Sequence, residues 1–215
     1  MSENEKLNET EVKKTRSSKE MISLGLILAL YASISCAVLA LVNNFTAPKI
    51  LENQEVKVSN SMEAFFPGDG YKFEKADGFS GKTVGSIKVE SIVLAVKDGE
   101  VEGGAAQVTG PTYDQGTIFV GMTKDGTVKG LKFLKLSDSP GFGLKANDST
   151  FVLPNGKTFY GQFEGKSAAS GFTAGENFDA ISGATITSKA VGELINVGTQ
   201  TLFEVFSSEG EVSNE

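Results

Sequence analysis

An uncharged apolar segment near the N-terminus constrains this chain more than any other feature of its sequence. The segment MISLGLILALYASISCAVLALVN runs from Met21 to Asn43 and has 23 residues, none of them charged. As a helix rising about 1.5 Å per residue, it would span about 34 Å, enough to cross the apolar core of a bilayer. The sequence therefore predicts one transmembrane helix over residues 21–43.

The charges on either side of this segment predict its orientation. Basic residues are frequent before it, whereas only Lys49 and Lys57 follow it closely. The basic residues before it are Lys6, Lys13, Lys14, Arg16 and Lys19. Because short segments rich in Lys and Arg stay in the cytoplasm, we expect a cytoplasmic N-terminus and an extracytoplasmic C-terminal domain. The chain is then a single-pass protein of the cytoplasmic (inner) membrane.

Two other interpretations of the apolar segment fit less well. A cleaved signal peptide has a shorter apolar core followed by a small-residue cleavage site, and no good site follows this longer segment. A lipoprotein would use the sequence SISC, but Ser33 stands where Leu is usual and Cys36 lies in the middle of the segment. Cys36 is better interpreted as a small apolar residue within the helix.

Composition excludes several kinds of functional site. The chain of 215 residues contains no histidine and one cysteine. This removes His-based catalysis, imidazole or cysteine metal sites, internal disulfides and an iron–sulfur cluster held by this chain alone. A net charge of −7 argues against a nucleic-acid partner. We expect no metal site and no catalytic acid, base or nucleophile, so any redox chemistry would need a cofactor held by other means.

The pattern along the chain predicts five segments. They are a disordered cytoplasmic tail (1–20), the transmembrane helix (21–43), a linking segment (44–68), the main domain (69–206) and a second disordered tail (207–215). The linking segment is interpreted as a helix over residues 47–65, because Thr46 can cap a helix and Pro48 suits a first turn. Pro67-Gly68 should end it.

Residues 80–136 have the pattern of antiparallel strands. In SIVLAVKDGEVEGGAAQV, the turn sequence KDGE separates two apolar runs. TIFVGMTKDGTVKGLKFLKL repeats this arrangement, with Asp125-Gly126 as the hairpin turn. Helical spacing of apolar residues from about Thr187 to Phe206 predicts a final helix. The fold class is therefore α+β, a transmembrane helix followed by an antiparallel sheet with flanking helices, and residues 149–181 remain unassigned.

The segment DAISGATITSKAV, residues 179–191, has the features of a ligand site. Three small residues precede three hydroxyl residues at the start of the final helix. They are Ser182, Gly183 and Ala184, then Thr185, Thr187 and Ser188. Small residues let a ligand approach the backbone, and the free N–H groups and dipole of a helix start favour a phosphate. The same residues also fit a glycine turn with a helix cap, and the residues alone leave both interpretations open.

Asp179-x-x-Ser182-Gly183-Ala184-Thr185 resembles the flavinylation motif of FMN-binding domains, D-x-x-[ST]-G-A-T. The resemblance implies that a separate flavin transferase moves FMN from FAD onto the Thr185 hydroxyl as a phosphoester. It implies helix-cap or phosphate contacts for Thr187 and Ser188. Asp179 would serve either transferase recognition or the metal of the transferase.

A second segment, DSPGFGLKA from Asp138 to Ala146, is similar to the E-T-P-G-L-G segment of the same domain. Asp138 replaces the Glu, Ser139 the Thr and Phe142 the Leu. The turn formed by Pro140, Gly141 and Gly143 is intact. The resemblance implies that this loop lies beside the flavin ring.

Over most of residues 21–206 the chain resembles two sister families. They are the RnfG proteins of Rnf-type complexes and the flavin-bearing C subunits of the sodium-translocating NADH:quinone oxidoreductase, and the short chain favours the former. The resemblance implies an electron-relay subunit of an ion-translocating ferredoxin:NAD oxidoreductase complex, with covalent FMN and no independent catalytic site. Its partners would be the other membrane subunits and the flavin transferase. The alternatives are a structural or ligand-binding domain without redox function, and a free-standing anchored flavoprotein acting as a terminal reductase.

Overall fold

A computed structural model describes residues 3–212, which fall into two compact units with the boundary after Asn53. Helix α1 runs from Glu3 to Phe65, and its residues from Gln54 onward belong to the second unit. The second unit also contains a sheet and a C-terminal helix, α2, from Thr185 to Val212. This element order confirms the predicted class, a long apolar N-terminal helix followed by an antiparallel sheet domain with a helix.

The first unit exposes the apolar side chains of α1. Leu24, Leu28 and Leu39 are 60%, 69% and 68% exposed. Within the residues that the structure describes, one helical stretch, Glu20–Phe65, is long and apolar enough to cross a membrane. Apolar side chains exposed in this way require an apolar environment or protein partners to cover them.

Helix α1 is longer than the sequence predicts. It begins at Glu3, within the segment predicted as a disordered tail, and continues without a break through Pro48, where a new helix was expected. Glu and Lys are good helix formers and extend a helix that is already formed. Pro48 lacks an N–H group, so the helix passes through it with one backbone hydrogen bond fewer. The domain boundaries proposed from the sequence stay predictions.

Six antiparallel strands form the sheet of the second unit. They are β1 (Tyr71–Lys75), β2 (Lys82–Val84), β3 (Ile87–Lys97), β4 (Glu100–Pro111), β5 (Gln115–Thr123) and β6 (Val128–Leu136). The order is β1-β3-β4-β5-β6, and β2 pairs with β3. The two predicted hairpins, β3–β4 and β5–β6, are confirmed. At the first turn, Asp98 and Gly99 have φ of 54° and 88°, as a tight hairpin turn requires.

Helix α2 packs on one face of the sheet. Leu194, Ile195 and Leu202 are completely buried in the cluster that includes the β4 and β5 side chains. Gly198 allows close approach, because a Cβ there would lie 2.8 Å from Cγ2 of Val108 and 2.9 Å from Cγ1 of Val120. The sheet therefore holds α2 along its length and fixes where the helix begins.

The last turns of α1 cover a second buried cluster. Met62, Phe65 and Phe66 pack against side chains of β3 to β6, and the ring of Phe65 stacks on Phe119 with centroids 6.0 Å apart. Lys57 Nζ donates to the backbone carbonyl of Leu134 at 3.3 Å. The predicted linking segment thus contributes its C-terminal end to the core of the domain.

The C-terminal half differs from the sequence prediction in two places. Helix α2 starts two residues before Thr187, where the sequence predicted its start, and continues to Val212. Part of the predicted second tail is therefore helical, and residues 213–215 lie outside the described residues. The unassigned residues 149–181 contain turns, a 3-10 helix (Tyr160–Gln162) and a cluster of four phenylalanines. These are Phe159, Phe163, Phe172 and Phe178, whose ring contacts span 4.9 to 6.1 Å between centroids. Aromatic packing replaces regular structure there, so the segment shows no periodicity.

Candidate functional site

A cleft of about 520 Å³ lies at the start of α2. One wall is formed by residues 183–187, and another by Ser139, Pro140, Phe142 and Gly143 from the loop after β6. Tyr113, in the turn between β4 and β5, completes the lining. The cleft therefore brings together the two segments that the sequence singled out separately.

A single buried carboxylate ties these walls to each other. Thr112 donates its hydroxyl to Oδ1 of Asp138 at 2.5 Å, and Thr187 donates its hydroxyl to Oδ2 at 2.6 Å. The backbone N–H of Asp114 donates to Oδ1 at 3.0 Å, and that of Tyr113 to Oδ2 at 3.4 Å. Asp138 thus joins the β4–β5 turn, the loop after β6 and the first turn of α2.

Asp138 is ionised in this environment although only 3% of it is exposed. Burial raises the pKa of Asp138, but the hydrogen bonds from Thr112, Thr187 and the two backbone N–H groups outweigh it and lower the pKa below its ordinary value. A hydrogen bond to the charged form favours that form, so the four donors keep the negative charge in place. The charge also lies beside the N-terminus of α2, where the helix dipole stabilises it.

Gly143 leaves the space that this link needs. A Cβ on Gly143 would lie 2.6 Å from Cβ and Oδ2 of Asp138 and 2.6 Å from the hydroxyl oxygen of Thr187. Real side chains do not approach so closely, hence any other residue would push the loop away from α2. The predicted site residue Gly143 therefore allows the loop to close over the hydrogen bond between Asp138 and Thr187.

The three predicted hydroxyl residues have different surroundings. Thr187 and Ser188 are buried, and Ser188 accepts from the Ile181 N–H and donates to the Ala184 carbonyl, both at 2.9 Å. Neither hydroxyl accepts from an N–H of the first turn of α2, so the helix-cap interpretation of these two residues is wrong. Their side chains point inward, toward Asp138 and toward the preceding turn. Their predicted phosphate contacts stay a prediction.

Thr185 is the exception, because it is exposed at the first position of α2. Its hydroxyl forms no hydrogen bond with any residue that the structure describes. Ala184 precedes it and accepts the N–H of Ser188 at 3.0 Å, the first backbone bond of the helix. Gly183 has φ of 79°, a conformation that favours glycine, and lets the chain turn sharply before Thr185.

Asp179 lies outside the lining of the cleft. Its backbone is held by the buried side chain of Gln162, which accepts from the Asp179 N–H at 2.8 Å and donates to its carbonyl at 3.0 Å. Its carboxylate is at the surface, where it accepts from the Asn155 side chain at 2.7 Å. Sequence reasoning missed Gln162 and Asn155, since nothing in the local pattern links them to Asp179.

The remaining predicted residues divide between the cleft and its surroundings. Ser182, Gly141 and Ser188 are not part of the lining. Gly141 has φ of 77°, and a Cβ there would meet nothing within 4 Å. A side chain at Gly141 would therefore strain the backbone, while its Cβ would meet no neighbouring atom.

Three large side chains of the cleft were not predicted as site residues. Tyr113, Phe142 and Ile186 are 65%, 57% and 60% exposed, which is unusual for aromatic and branched apolar residues. Phe142 lies beside Gly183, because a Cβ on Gly183 would be 3.4 Å from Cδ1 of Phe142. Together with the Thr185 hydroxyl and the free N–H groups of the helix start, these side chains fit a phosphate ester that carries a planar aromatic ring.

Two family models match the chain. The model described as FMN-binding domain matches residues 113–200, and the RnfG N-terminal region matches residues 13–64. The first range contains every residue of the cleft lining.

Similar proteins share most of their length with this chain. The G subunit of the Na(+)-translocating ferredoxin:NAD(+) oxidoreductase complex of Acetobacterium woodii is 30% identical over 199 residues, covering 85% of this chain and 91% of that protein. The G subunit of the ion-translocating oxidoreductase complex of Erwinia tasmaniensis is 28% identical, covering 88% and 92%. The protein of that name from Vibrio cholerae is 30% identical, covering 78% and 83%.

Proposed function

The chain belongs to the RnfG family, the G subunits of ion-translocating oxidoreductase complexes, and from this we propose that it is the electron-relay subunit of a membrane-bound ferredoxin:NAD oxidoreductase complex of that kind. FMN is its cofactor, attached to Thr185 through a phosphoester. The other membrane subunits of the complex are its partners. The complex as a whole is the translocase, and this subunit has no catalytic site of its own.

One observation carries the assignment of Thr185. Its hydroxyl is exposed and without a hydrogen bond among the described residues, whereas the neighbouring hydroxyls of Thr187 and Ser188 are buried and bonded. A bulky group can therefore reach the oxygen of Thr185 without disturbing the core. The free N–H groups of the first turn of α2 favour the phosphate that the bond would place there.

Attachment is a transfer of the FMN part of FAD. The oxygen of Thr185 forms a bond to the phosphorus of the FMN half, the pyrophosphate bond of FAD breaks, AMP leaves and the hydroxyl proton is lost. Among the described residues no base contacts the Thr185 hydroxyl, so a separate flavin transferase supplies the catalysis. The exposed carboxylate of Asp179 is available to that enzyme or to its metal, because only the Asn155 side chain contacts it among the described residues.

The cleft supplies the surroundings of the flavin ring. Pro140, Phe142 and Gly143 line one side, and Tyr113 and Ile186 provide further apolar surface. Bound FMN exchanges one or two electrons, while the protein binds the ring and orients it toward the neighbouring subunits. A covalent bond keeps the cofactor on a domain that faces away from the cytoplasm, where free FMN would diffuse away.

The membrane arrangement follows from the first 68 residues. We propose a cytoplasmic tail (1–20), a transmembrane helix (21–43) and a linking segment (44–68), with the FMN-binding domain (69–206) and the final residues (207–215) outside the cytoplasm. The basic residues before the apolar segment support this orientation. Ion translocation needs polar groups within the membrane, and this helix has no charged residue there, so the ion path belongs to other subunits.

Mass spectrometry tests the proposal directly. The full chain is produced together with a flavin transferase, extracted in detergent and digested, and the peptide containing residues 179–189 is measured. We expect the mass of FMN, less one water, on Thr185. An unmodified peptide from cells with an active transferase would contradict the proposal and favour a structural or ligand-binding domain.

A further inference from the structure

We propose that Asp138 is the positioning residue for flavin attachment: through Thr187 it fixes the rotation of the first turn of α2, so that Thr185 faces the opening of the cleft. This inference rests on the proposed function, because it assumes that Thr185 is the acceptor. Asp138 itself touches neither the acceptor hydroxyl nor any group that reacts. Its effect passes through the hydrogen bond to Thr187.

The first step of the argument is the connection that Asp138 makes. It binds Thr187, 49 residues further along the chain, and Thr112, 26 residues earlier. Thr187 belongs to α2 and Thr112 to the β4–β5 turn, and both elements line the cleft. The Asp138 side chain therefore connects both of them to the loop after β6, in which Asp138 itself lies.

The second step is the geometry of a helix. Side chains two residues apart on a helix are rotated by about 200°, since each residue turns the helix by about 100°, so they point to nearly opposite sides of it. When the Thr187 side chain is held toward the buried Asp138, the Thr185 side chain must point away from the interior. The observed burial agrees, because Thr187 is 1% exposed and Thr185 belongs to the exposed class.

The third step is the need for a charged acceptor. Two hydroxyls and two backbone N–H groups converge on Asp138. A carboxylate accepts on both oxygens, whereas an amide at the same position has one acceptor atom and presents an N–H₂ group to the other donors. Whichever way the amide turns, an Asp138→Asn variant therefore leaves one backbone N–H, that of Tyr113 or of Asp114, without its acceptor. It also makes one hydroxyl, that of Thr187 or of Thr112, reverse its role from donor to acceptor.

A pair of matched variants tests the inference. Thr187→Val removes the hydroxyl that binds Asp138 and keeps the shape of the side chain. Thr199→Val is the control, because Thr199 is also buried in α2 but donates to the Ile195 carbonyl of its own helix. Both variants retain Thr185, so neither removes the atom that accepts FMN.

The measurement is the rate at which full-length protein in detergent acquires FMN from FAD with the purified transferase. A displacement of about 1 Å at a reacting group can lower a rate about a hundredfold. We expect Thr187→Val to be at least about tenfold slower than the wild type. Thr199→Val should stay within about twofold, because it leaves the link to Asp138 intact. Equal rates for the two variants would overturn the inference.

Substitutions at Asp138 provide a second test that does not depend on the folding of Thr187→Val. Asp138→Glu keeps a carboxylate, and Glu is the residue at this position in the similar segment of FMN-binding domains. We therefore expect Asp138→Glu to acquire FMN faster than Asp138→Asn, at a rate closer to that of the wild type. Near-ultraviolet circular dichroism establishes that each variant is folded before its rate is compared. If folded Asp138→Asn and Asp138→Glu accept FMN as fast as the wild type, Asp138 does not position the acceptor.

The flavin itself gives an independent measurement. In the loaded protein, loss of the buried negative charge should shift the reduction potential of FMN upward in Asp138→Asn, and Asp138→Glu should restore it. The wild type separates the two proposals. Wild-type protein that never acquires FMN contradicts both the proposed function and this inference. If the wild type acquires FMN and the variants acquire it at the same rate, only this inference is contradicted.

Discussion

The ring of Phe65 lies directly on the backbone of Gly121. A Cβ built on Gly121 would overlap the ring, and the same holds for Gly130, which pairs with Gly121 across β5 and β6. Two paired glycines thus form a flat surface on the sheet for the last turn of α1. Through Phe65, the helix that begins in the N-terminal unit ends as part of the domain core.

This contact makes a stability prediction. Gly121→Ala should lower the free energy of unfolding by about 1–3 kcal/mol, because the new methyl group overpacks the site against Phe65. Thermal unfolding in detergent measures the effect. In a Phe65→Ala background the same substitution should be tolerated better, since the ring that it meets is gone. An equal loss of unfolding free energy on Gly121→Ala in the wild type and in Phe65→Ala would show that the methyl group does not contact the ring.

Acid should weaken the link between Asp138 and Thr187. The pKa of folded Asp138 lies below the unfolded value of about 3.9, because its four hydrogen bonds outweigh its burial. Its contribution to stability is therefore complete above about pH 5 and is lost as the pH falls through the folded-state pKa, below about 4. The stability difference between the wild type and Asp138→Asn should be larger at pH 7 than at pH 3, as measured by thermal unfolding.

Asp148→Asn is the control for this pH dependence. The hydroxyl and N–H of Thr150 lower the pKa of Asp148 as well, but this carboxylate is exposed and joins only neighbouring residues. Its removal should change the unfolding temperature less than the removal of Asp138 at pH 7. A pH-independent difference between the wild type and Asp138→Asn would mean that the pKa of Asp138 is the same in the folded and the unfolded protein, and a smaller difference at pH 7 than at pH 3 would mean that folding raises it.

Local patterns were enough to predict the two hairpins and the final helix. Alternating apolar residues and the Asp-Gly turns at Asp98 and Asp125 act between neighbours in sequence, and the structure pairs the strands accordingly. The length of the apolar segment likewise predicted a long N-terminal helix. In the site, the resemblance pointed to both segments that line the cleft.

Long-range contacts could not be predicted in the same way. Asp138 looked like a mild departure from a loop motif, and only the fold shows that it binds Thr187 and Thr112. Gln162, which holds the backbone of Asp179, gave no signal because side-chain amides are common in loops. Short strands such as β1 and β2 lack a clear period, and the phenylalanine cluster has none.

Membrane orientation is open to a simple test. A reporter that is active only in the cytoplasm should give no signal when it is fused after Glu215. The same reporter fused before Met1 should be active, because the basic residues keep the N-terminus in the cytoplasm. A strong signal from the C-terminal fusion would reverse the orientation and remove the reason for a covalent tether outside the cytoplasm.

The loop after β6 should influence the flavin. Phe142→Ala removes an exposed ring from the lining of the cleft, so the absorption spectrum or reduction potential of bound FMN should change while the domain stays folded. A bulky residue at Gly141 should act indirectly, because it strains the backbone at a φ of 77° and meets open space. Unchanged flavin properties in folded Phe142→Ala would reduce this segment to an ordinary turn.

Thr185→Ala should abolish the covalent flavin and leave the fold intact, because a phosphoester needs a hydroxyl and alanine has none. The Thr185 hydroxyl is exposed and caps nothing among the described residues, so the change should cost no more than about 0.5 kcal/mol of stability, and alanine is the better helix former. Thr173→Ala, which also removes an exposed hydroxyl, should retain the flavin fully. The measurement is in-gel flavin fluorescence after denaturation, followed by peptide mass.

Thr187→Ala checks the position of the attachment. It should retain covalent FMN at a lower yield, because Thr185 is present but the link to Asp138 is lost. It should also be less stable by about 1–3 kcal/mol, since a buried carboxylate oxygen loses a donor. If Thr185→Ala keeps the flavin and Thr187→Ala loses it, the acceptor is Thr187. Its hydroxyl would then have to leave Asp138 and turn outward, which requires the first turn of α2 to unwind.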